Sequence, residues 1–230
     1  AGGDGAVAQT PYQATYAALG AANDGLKAIN RGVKIAASPT SPDETPQFQA
    51  LAWLIQGIAL GFESQVYDKG FVVTEDTPDN GAVLVDYKAV RDGAIASLNK
   101  AIAAAAGASW SIPDEFTTSA LELSADKFGR MANTMAARTL AYNARNATEN
   151  SATDWAKVLQ YANAGISTGA APFDLAIQGD GGNTWFDITK GYGELTSWVR
   201  VDQRVIQEAS DASQPLVWTS TTPPPFPNIP

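Results

Sequence analysis

The sequence predicts an all-α protein built from antiparallel helix pairs. Apolar residues recur at helical spacing in several long segments, and alanine within those segments allows neighbouring helices to approach closely. Clusters of proline and glycine interrupt the pattern between segments. The 230-residue chain is 45% hydrophobic and 17% charged, which is enough apolar side chain for a packed core. We expect residues 1–211 to form one helical domain and residues 212–230 an extended, Pro-rich C-terminal segment.

The first two helices are predicted from apolar stripes and proline positions. Helix one should run from Thr10 to Ser38, because Pro11 suits the first helical turn and a proline-rich linker follows. Its stripe is spaced by seven residues: Tyr12, Leu19, Leu26 and Val33. Helix two, from Phe48 to Val66, is apolar nearly all round and should therefore be central. Its most apolar stretch, about 13 residues, is shorter than the roughly 20 that span a bilayer.

The later helices are predicted from capping residues. Asp86 should cap helix three, which should end before Gly107, and Ser124 should open helix four. Helix five should run from about Thr153 to Ser167. The predicted inward face of helix five comprises Trp155, Val158, Leu159, Ala162 and Ile166, and a sixth helix should include Leu195, Trp198, Val199, Val205 and Ile206. Residues 74–81 carry turn formers and should be a surface loop.

Composition restricts the function. The net charge of -9 argues against nucleic acid as a partner, because phosphate backbones bind basic surfaces. Histidine and cysteine are absent, which removes the usual general base near neutral pH and the commonest metal ligands. We therefore expect no enzymatic activity and no cofactor. Adjacent acids, as in a glycosidase, leave one catalytic alternative open, although such pairs are usually solvated loop or first-turn residues. They are Asp43–Glu44, Glu75–Asp76 and Asp114–Glu115.

Aromatic residues in loops are the candidate ligand contacts, because aromatic faces stack on sugar rings or peptide groups. Trp110 and Trp185 lie in predicted loops, and Tyr192 follows Trp185 closely. Asn183 and Asp187 flank Trp185 and can hydrogen-bond hydroxyl groups. The alternative is that these loop aromatics cover the end of the nearest helix.

One acidic loop is a candidate calcium site. Asp180 opens a Gly- and Asn-rich stretch that offers the oxygen ligands calcium takes, but the spacing and the bidentate Glu of an EF-hand are missing. A flexible turn is the alternative explanation of the same residues.

Several segments together resemble the SusD/RagB-like outer-membrane lipoproteins. Residues 54–73 read LIQGIALGFESQVYDKGFVV, an acidic loop with proline follows, and residues 87–102 read YKAVRDGAIASLNKAI. Residues 136–143, AARTLAYN, and 154–166, DWAKVLQYANAGI, resemble the family's paired tetratricopeptide-like helices. Because loop lengths are unequal and no period of 34 residues recurs, we expect a degenerate array.

The resemblance implies a surface-exposed binding protein on the bacterial outer membrane. Such a protein captures oligosaccharide or peptide nutrients and delivers them to a TonB-dependent, SusC-like transporter, with a lipid anchor in the precursor. The family's ligand-binding residues vary too much to be assigned to positions of this chain. The resemblance also implies a longer, loop-rich second half following the helices. The alternative function is a helical scaffold that binds a peptide or a neighbouring subunit without binding sugar.

Overall fold

A computed structural model describes residues 3–78, 80–113 and 123–166, with only the backbone for residues 3–8. The described chain is mostly helical, with 64% of its residues in six helices, which confirms the helical character predicted from periodicity. The helices are α1 Gly3–Asn30, α2 Thr45–Val66, α3 Tyr87–Ala105, α4 Ala125–Ala141, α5 Ala147–Ser151 and α6 Trp155–Asn163. In this part of the chain, no helix has the length and apolarity needed to cross a membrane.

Two short antiparallel sheets accompany the helices and were not predicted. Their strands are β1 Lys69–Phe71, β2 Leu84–Asp86, β3 Ser111–Ile112 and β4 Leu123–Ser124. β1 pairs with β2, and β3 pairs with β4. With two or three residues each, these strands are too short to show an alternating pattern in the sequence.

The predicted bounds of the first helix are wrong at both ends. α1 begins before Thr10, so Pro11 lies inside the helix rather than at its first position. It ends at Asn30 because Gly32 adopts a φ of 95°. The amide of Gly32 donates to the carbonyl of Ile29 at 2.8 Å, and that of Val33 to Ala28 at 3.1 Å. These two bonds form a Schellman motif, in which glycine supplies the left-handed residue that ends a helix.

Consecutive helices pack in antiparallel pairs. Between α1 and α2, Asn23 meets Gln56 and Tyr12 meets Tyr67, so residue numbers rise along one helix as they fall along the other. α2 lies between α1 and α3, as its apolar character predicted. The same reversal relates α2 to α3, because Trp53 lies beside Lys100 and Gly57 beside Ala94. α4 packs against α3 and also against α6.

α2 and α4 run in the same direction. A Cβ added to Gly61 would lie 2.9 Å from the hydroxyl of Thr139, and the side-chain amide of Asn143 donates to the carbonyl of Ser64 at 3.1 Å. Residue numbers therefore rise together along both helices. α3 contacts both and runs antiparallel to α2, so α2 and α4 are parallel helices that share α3 as a neighbour.

The predicted caps are confirmed. The carboxylate of Asp86 accepts from the amides of Lys88 at 2.8 Å and Ala89 at 3.0 Å, and the Ser124 hydroxyl accepts from Lys127. Gly107, just after α3, has a φ of 70°, as expected of a residue that ends a helix. The main core forms where α2, α3, α4 and α6 meet. Its largest fully buried side chains include Leu98, Ile112 and Phe128.

The predicted inward face of the fifth helix is partly wrong. The predicted segment forms one helix, α6, which is shorter than expected and buries Val158 and Tyr161, and the short α5 precedes the predicted start at Thr153. Trp155 and Leu159 are instead 44% and 60% exposed. Val158 and Tyr161 are three residues apart and share one face with the buried Gly165. Ala162, also predicted to face inward, is exposed, so the helix is turned relative to the prediction and packs through its Val158 and Tyr161 side.

The predicted surface loop, residues 74–81, contains a buried residue. Glu75 is only 9% exposed, because Trp53 and Gln56 of α2 and Lys100 of α3 donate hydrogen bonds to its carboxylate. The predicted sixth helix, the segment 212–230 and the boundary between residues 211 and 212 lie outside the described residues.

Candidate functional site

Of the six predicted site residues, Trp110 is the one that the structure describes. Trp185, Tyr192, Asn183 and Asp187, the other predicted ligand contacts, lie outside the described residues. The candidate calcium ligand Asp180 lies outside them too. Among the described residues, no group of three or more acidic side chains is arranged to hold a metal ion.

Trp110 lies between α3 and β3 and is half-buried. Its ring packs edge-to-face against Phe128 of the core, with 5.2 Å between ring centroids, and its carbonyl accepts from the amide of Ala125 at 2.9 Å. This packing matches the alternative in which a loop aromatic covers a helix end, but it leaves part of the ring exposed. A ligand-binding role for Trp110 stays a prediction.

A cleft of about 360 Å³ lies near Trp110, between the end of α3, the start of α4 and the end of α6. Small side chains dominate its walls, and its polar groups are Asp126, Arg130 and Asn133. Ala125, whose amide is bonded to the Trp110 carbonyl, also lines it. The predicted contact residue therefore lies beside a concave surface of ligand size.

A second cleft, here called the polar cleft, has a volume of about 340 Å³. Its walls come from the start of α3, the end of α4, and α5 with the turn that follows. The lining residues are Lys88, Arg91, Leu140, Asn143, Ala144, Glu149, Ala152, Thr153 and Asp154. It combines charged and hydroxyl side chains with a small apolar surface, which suits recognition of a small polar molecule.

The Glu149 carboxylate fixes α5 against the start of α3. Its Oε1 accepts from the Tyr87 hydroxyl at 2.5 Å and lies 3.2 Å from the Lys88 ammonium, while Oε2 accepts from the Arg145 amide at 2.9 Å. The Arg145 guanidinium stacks over the Tyr87 ring, 3.8 Å from its centroid, and pairs with Asp68. One wall of the polar cleft is therefore held by several mutually supporting contacts.

The contacts around Glu149 also fix the charge states of Glu149 and Lys88. The Tyr87 hydrogen bond and then the Arg145 amide hold the pKa of Glu149 at about 2. The same carboxylate raises the pKa of Lys88 above its usual value. Glu149 is therefore an anion and Lys88 a cation throughout the neutral range.

Arg91 and Asn143 also line the polar cleft. Asn143 is 3% exposed and donates to the carbonyl of Ser64 on α2, which leaves its side-chain oxygen facing Arg91. Arg91 Nη1 lies 3.4 Å from that oxygen, and its Nε and Nη2 donate to Asp92 at 2.9 and 2.7 Å. Arg91 is thus positioned by a buried amide and by its neighbour on α3.

The described acid pairs do not form a facing pair of carboxylates. Glu75 is bonded to three side chains, and its neighbour Asp76 is exposed, 3.5 Å from Lys100. Asp43 accepts from the amide of Thr45 at 2.9 Å and pairs with Lys34 at 3.0 Å. The third pair, residues 114–115, lies outside the described residues.

Sequence reasoning did not find the polar cleft. Its residues come from three parts of the chain, with Lys88 and Asp154 66 positions apart, and none forms a motif that carries chemistry. The one available signal was the turn chemistry between α4 and α6, where Asn146 and Asp154 each cap a short helix.

Comparisons with family models, with curated proteins and with solved structures find no match for this chain.

Proposed function

We propose that this chain is the helical part of a non-catalytic, surface-exposed protein that captures an oligosaccharide for a TonB-dependent outer-membrane transporter. One observation carries the proposal: the segments that resemble the SusD/RagB-like family fold as consecutive helices. Residues 54–73 cover most of α2 and β1, residues 87–102 lie in α3, and residues 136–143 and 154–166 include the end of α4 and all of α6.

The order and direction of these helices support a degenerate tetratricopeptide-like array. In such an array, two antiparallel helices form a unit, and the first helix of each unit is parallel to the first helix of the next. In this proposal α2 and α3 form one unit, α4 and α6 form the next, and α2 runs parallel to α4 through the contacts at Thr139 and Asn143. The β1–β2 sheet is an insertion within the first unit, α5 is an insertion within the second, and the β3–β4 sheet lies between the two units.

The site chemistry supports binding rather than catalysis. The chain has no histidine, and the described acid pairs are engaged in structural contacts or lie apart at the surface. Both described clefts have polar groups and ligand-sized volumes. A peptide is the second ligand class that this proposal accommodates. Delivery to a transporter and a place at the cell surface follow from the family resemblance.

Saccharide binding by the intact chain tests the proposal. A glycan array and affinity gels should show retention of at least one oligosaccharide, and changing Trp110 and Trp185 together to Ala should abolish it. Because Trp110 also packs on Phe128, melting curves of the variant must accompany the binding data. Trp155→Ala is a matched control, since Trp155 is 44% exposed on a helix and should leave retention unchanged. Failure of the intact chain to bind any saccharide would contradict the proposal.

The scaffold function is the second candidate, and one observation favours it. Ile55, Ile58, Phe62 and Val66 lie along one side of α2 and are 37–53% exposed. Apolar side chains in such a row are typical of a protein contact surface, here for a second copy of the chain. Sedimentation equilibrium of the intact chain should then show a dimer that Phe62→Glu dissociates. A monomer that binds saccharide would exclude this candidate.

A further inference from the structure

The polar cleft has a pattern of used and unused hydrogen-bonding groups that indicates its ligand. Both Glu149 oxygens already accept hydrogen bonds from the protein. In the part of the chain that the structure describes, the Lys88 ammonium pairs with Glu149 and also interacts with the Tyr87 side chain, which leaves at least one ammonium hydrogen available. The Lys88 side chain is 49% exposed, so the remaining hydrogen is accessible from the cleft. Lys88 is thus a donor that the fold leaves partly unused.

Asp154 and Thr153 supply the matching acceptors. Asp154 caps α6 through Oδ1, which accepts from the amide of Lys157 at 2.9 Å, and its Oδ2 has no such bond within the described residues. The Thr153 hydroxyl donates to the carbonyl of Glu149 at 3.1 Å, so its oxygen can still accept. Donors and acceptors therefore converge on the same space.

The charges of the cleft balance. Lys88 and Arg91 are offset by Glu149 and Asp154, and Lys88 already pairs with Glu149. An anionic ligand would have to displace Glu149 from Lys88 or Asp92 from Arg91, and a cationic ligand has only Asp154 without an ion pair among the described residues. A neutral molecule rich in hydroxyl groups needs no such exchange, because each hydroxyl both donates and accepts.

The apolar part of the wall fits the same ligand. Leu140, Ala144 and Ala152 present aliphatic surface with no hydrogen-bonding group. A sugar ring has aliphatic C–H faces and hydroxyl edges, so it can contact this surface while its edges reach Lys88 and Asp154. The volume of about 340 Å³ is at the lower end of small-molecule sites, which suits one or two sugar units.

We propose that the polar cleft is a subsite for one unit of a neutral saccharide. Lys88 and Arg91 donate to its hydroxyl oxygens, Asp154 Oδ2 and Thr153 Oγ1 accept from its hydroxyls, and Leu140, Ala144 and Ala152 contact a ring face. The assignment rests on the proposed function and adds a site that includes none of the loop aromatics. The wall is pre-organised by the Tyr87 and Arg145 contacts to Glu149, which lowers the ordering cost of binding.

Calorimetric titration of the intact chain tests this subsite. The probes are neutral hexasaccharides of glucose, xylose and mannose, an oligogalacturonate as the acidic sugar, and alanyl-alanine as the peptide. Asp154→Asn is the main variant, because Asn is also a good helix cap but replaces the free acceptor with an NH₂ donor. We expect about tenfold or greater weakening of the best neutral hexasaccharide. Ala152→Trp should abolish binding by filling the cleft without changing its charge.

Asp43→Asn is the matched control. Asp43 also accepts a hydrogen bond from a backbone amide at the start of a helix, α2. It lies away from the polar cleft, because the cleft is beside Ser64, near the other end of α2. Saccharide binding unchanged in Asp154→Asn and Ala152→Trp, with unchanged melting curves, would overturn the subsite and leave the proposed function standing. Tighter binding of the oligogalacturonate or alanyl-alanine, lost in Ala152→Trp, would overturn the neutral-sugar assignment. Binding of no saccharide at all would overturn both proposals.

Discussion

Glu63 and Glu75 are both buried, 1% and 9% exposed, but Glu75 accepts hydrogen bonds from three side chains, whereas neither oxygen of Glu63 accepts one from the residues that the structure describes. Glu63 lies on α2 near Thr15 of α1, whose hydroxyl donates to the carbonyl of Pro11 at 2.7 Å and has a smaller, lowering effect on the pKa of Glu63. Burial raises the pKa of Glu63 to about 7. The two carboxyl groups should therefore give stability opposite dependences on pH.

Glu63 should make the protein less stable as pH rises from about 4.5 to 7. Its pKa is higher in the folded state than the ordinary 4.5, so the folded protein binds more protons than the unfolded chain in this window. The loss should be about 2 to 3 kcal/mol and complete above pH 7. Glu63→Gln, which cannot ionise, should remove this slope, as urea denaturation at a series of pH values would measure. An unchanged slope in the variant would show that another group causes it.

Glu75 should act in the opposite direction. Burial raises its pKa, but the hydrogen bonds from Gln56, Lys100 and Trp53 outweigh this effect and hold the pKa at about 2. Its contribution is present above pH 4.5 and is lost as pH falls toward 2. Glu75→Gln should destabilise the protein by about 1 to 3 kcal/mol at pH 7, because Lys100 loses its buried partner.

Asp76→Asn is the control for that variant. Asp76 is the adjacent acid, but its side chain is 74% exposed and 3.5 Å from Lys100, so its loss should cost less than about 0.5 kcal/mol. Equal effects of the two substitutions at pH 7 would contradict the role assigned to Glu75. Thermal or urea denaturation of both variants under the same conditions makes the comparison.

The helices and their caps were largely predictable because local chemistry determines them. The caps at Asp86, Ser124 and Gly107 depend on neighbours within a few residues. The burial of Glu75 was not predictable, because it depends on donors from two helices that meet only after folding. A turn-rich segment with two acidic residues has the same sequence pattern whether it is exposed to solvent or packed against neighbouring helices.

The candidate site was also only partly predictable from the sequence. Trp110 was chosen because it is a loop aromatic, and the structure describes it as half-buried against Phe128. Apart from the helix-capping position of Asp154, the residues of the polar cleft gave no sequence signal, since the start of α3 and the turn before α6 meet only in the folded chain. The end of α1 is different. Gly32 is a helix-stop signal in the sequence, but the apolar stripe with seven-residue spacing continues to Val33 and predicts a longer helix.

Gly32→Ala should destabilise the end of α1. An added Cβ would meet no atom within 4 Å, so the cost comes from the φ of 95° alone. We expect about 1 to 2 kcal/mol, measured by urea denaturation. Gly20→Ala is the control, because Gly20 lies inside α1 and also has no atom within 4 Å of an added Cβ. This variant should be more stable than the parent protein by about 0.5 to 1 kcal/mol. A neutral Gly32→Ala variant would argue against the Schellman motif.

Gly57→Ala tests the close packing of α2 against α3 on which the proposed helical array depends. A Cβ at this position would lie 2.5 Å from Cγ of Leu98 and 3.1 Å from the carbonyl oxygen of Ala94. The Leu98 side chain is fully buried, so it has little room to move, and α2 must shift away from α3. We expect a loss of about 1 to 3 kcal/mol in urea denaturation, against a gain of about 0.5 to 1 kcal/mol for Gly25→Ala, a helical glycine with open space around it. Equal stability of the two variants would mean that α2 and α3 are not in this contact, and the pairing of α2 with α3 as one unit of the proposed array would then lose its basis.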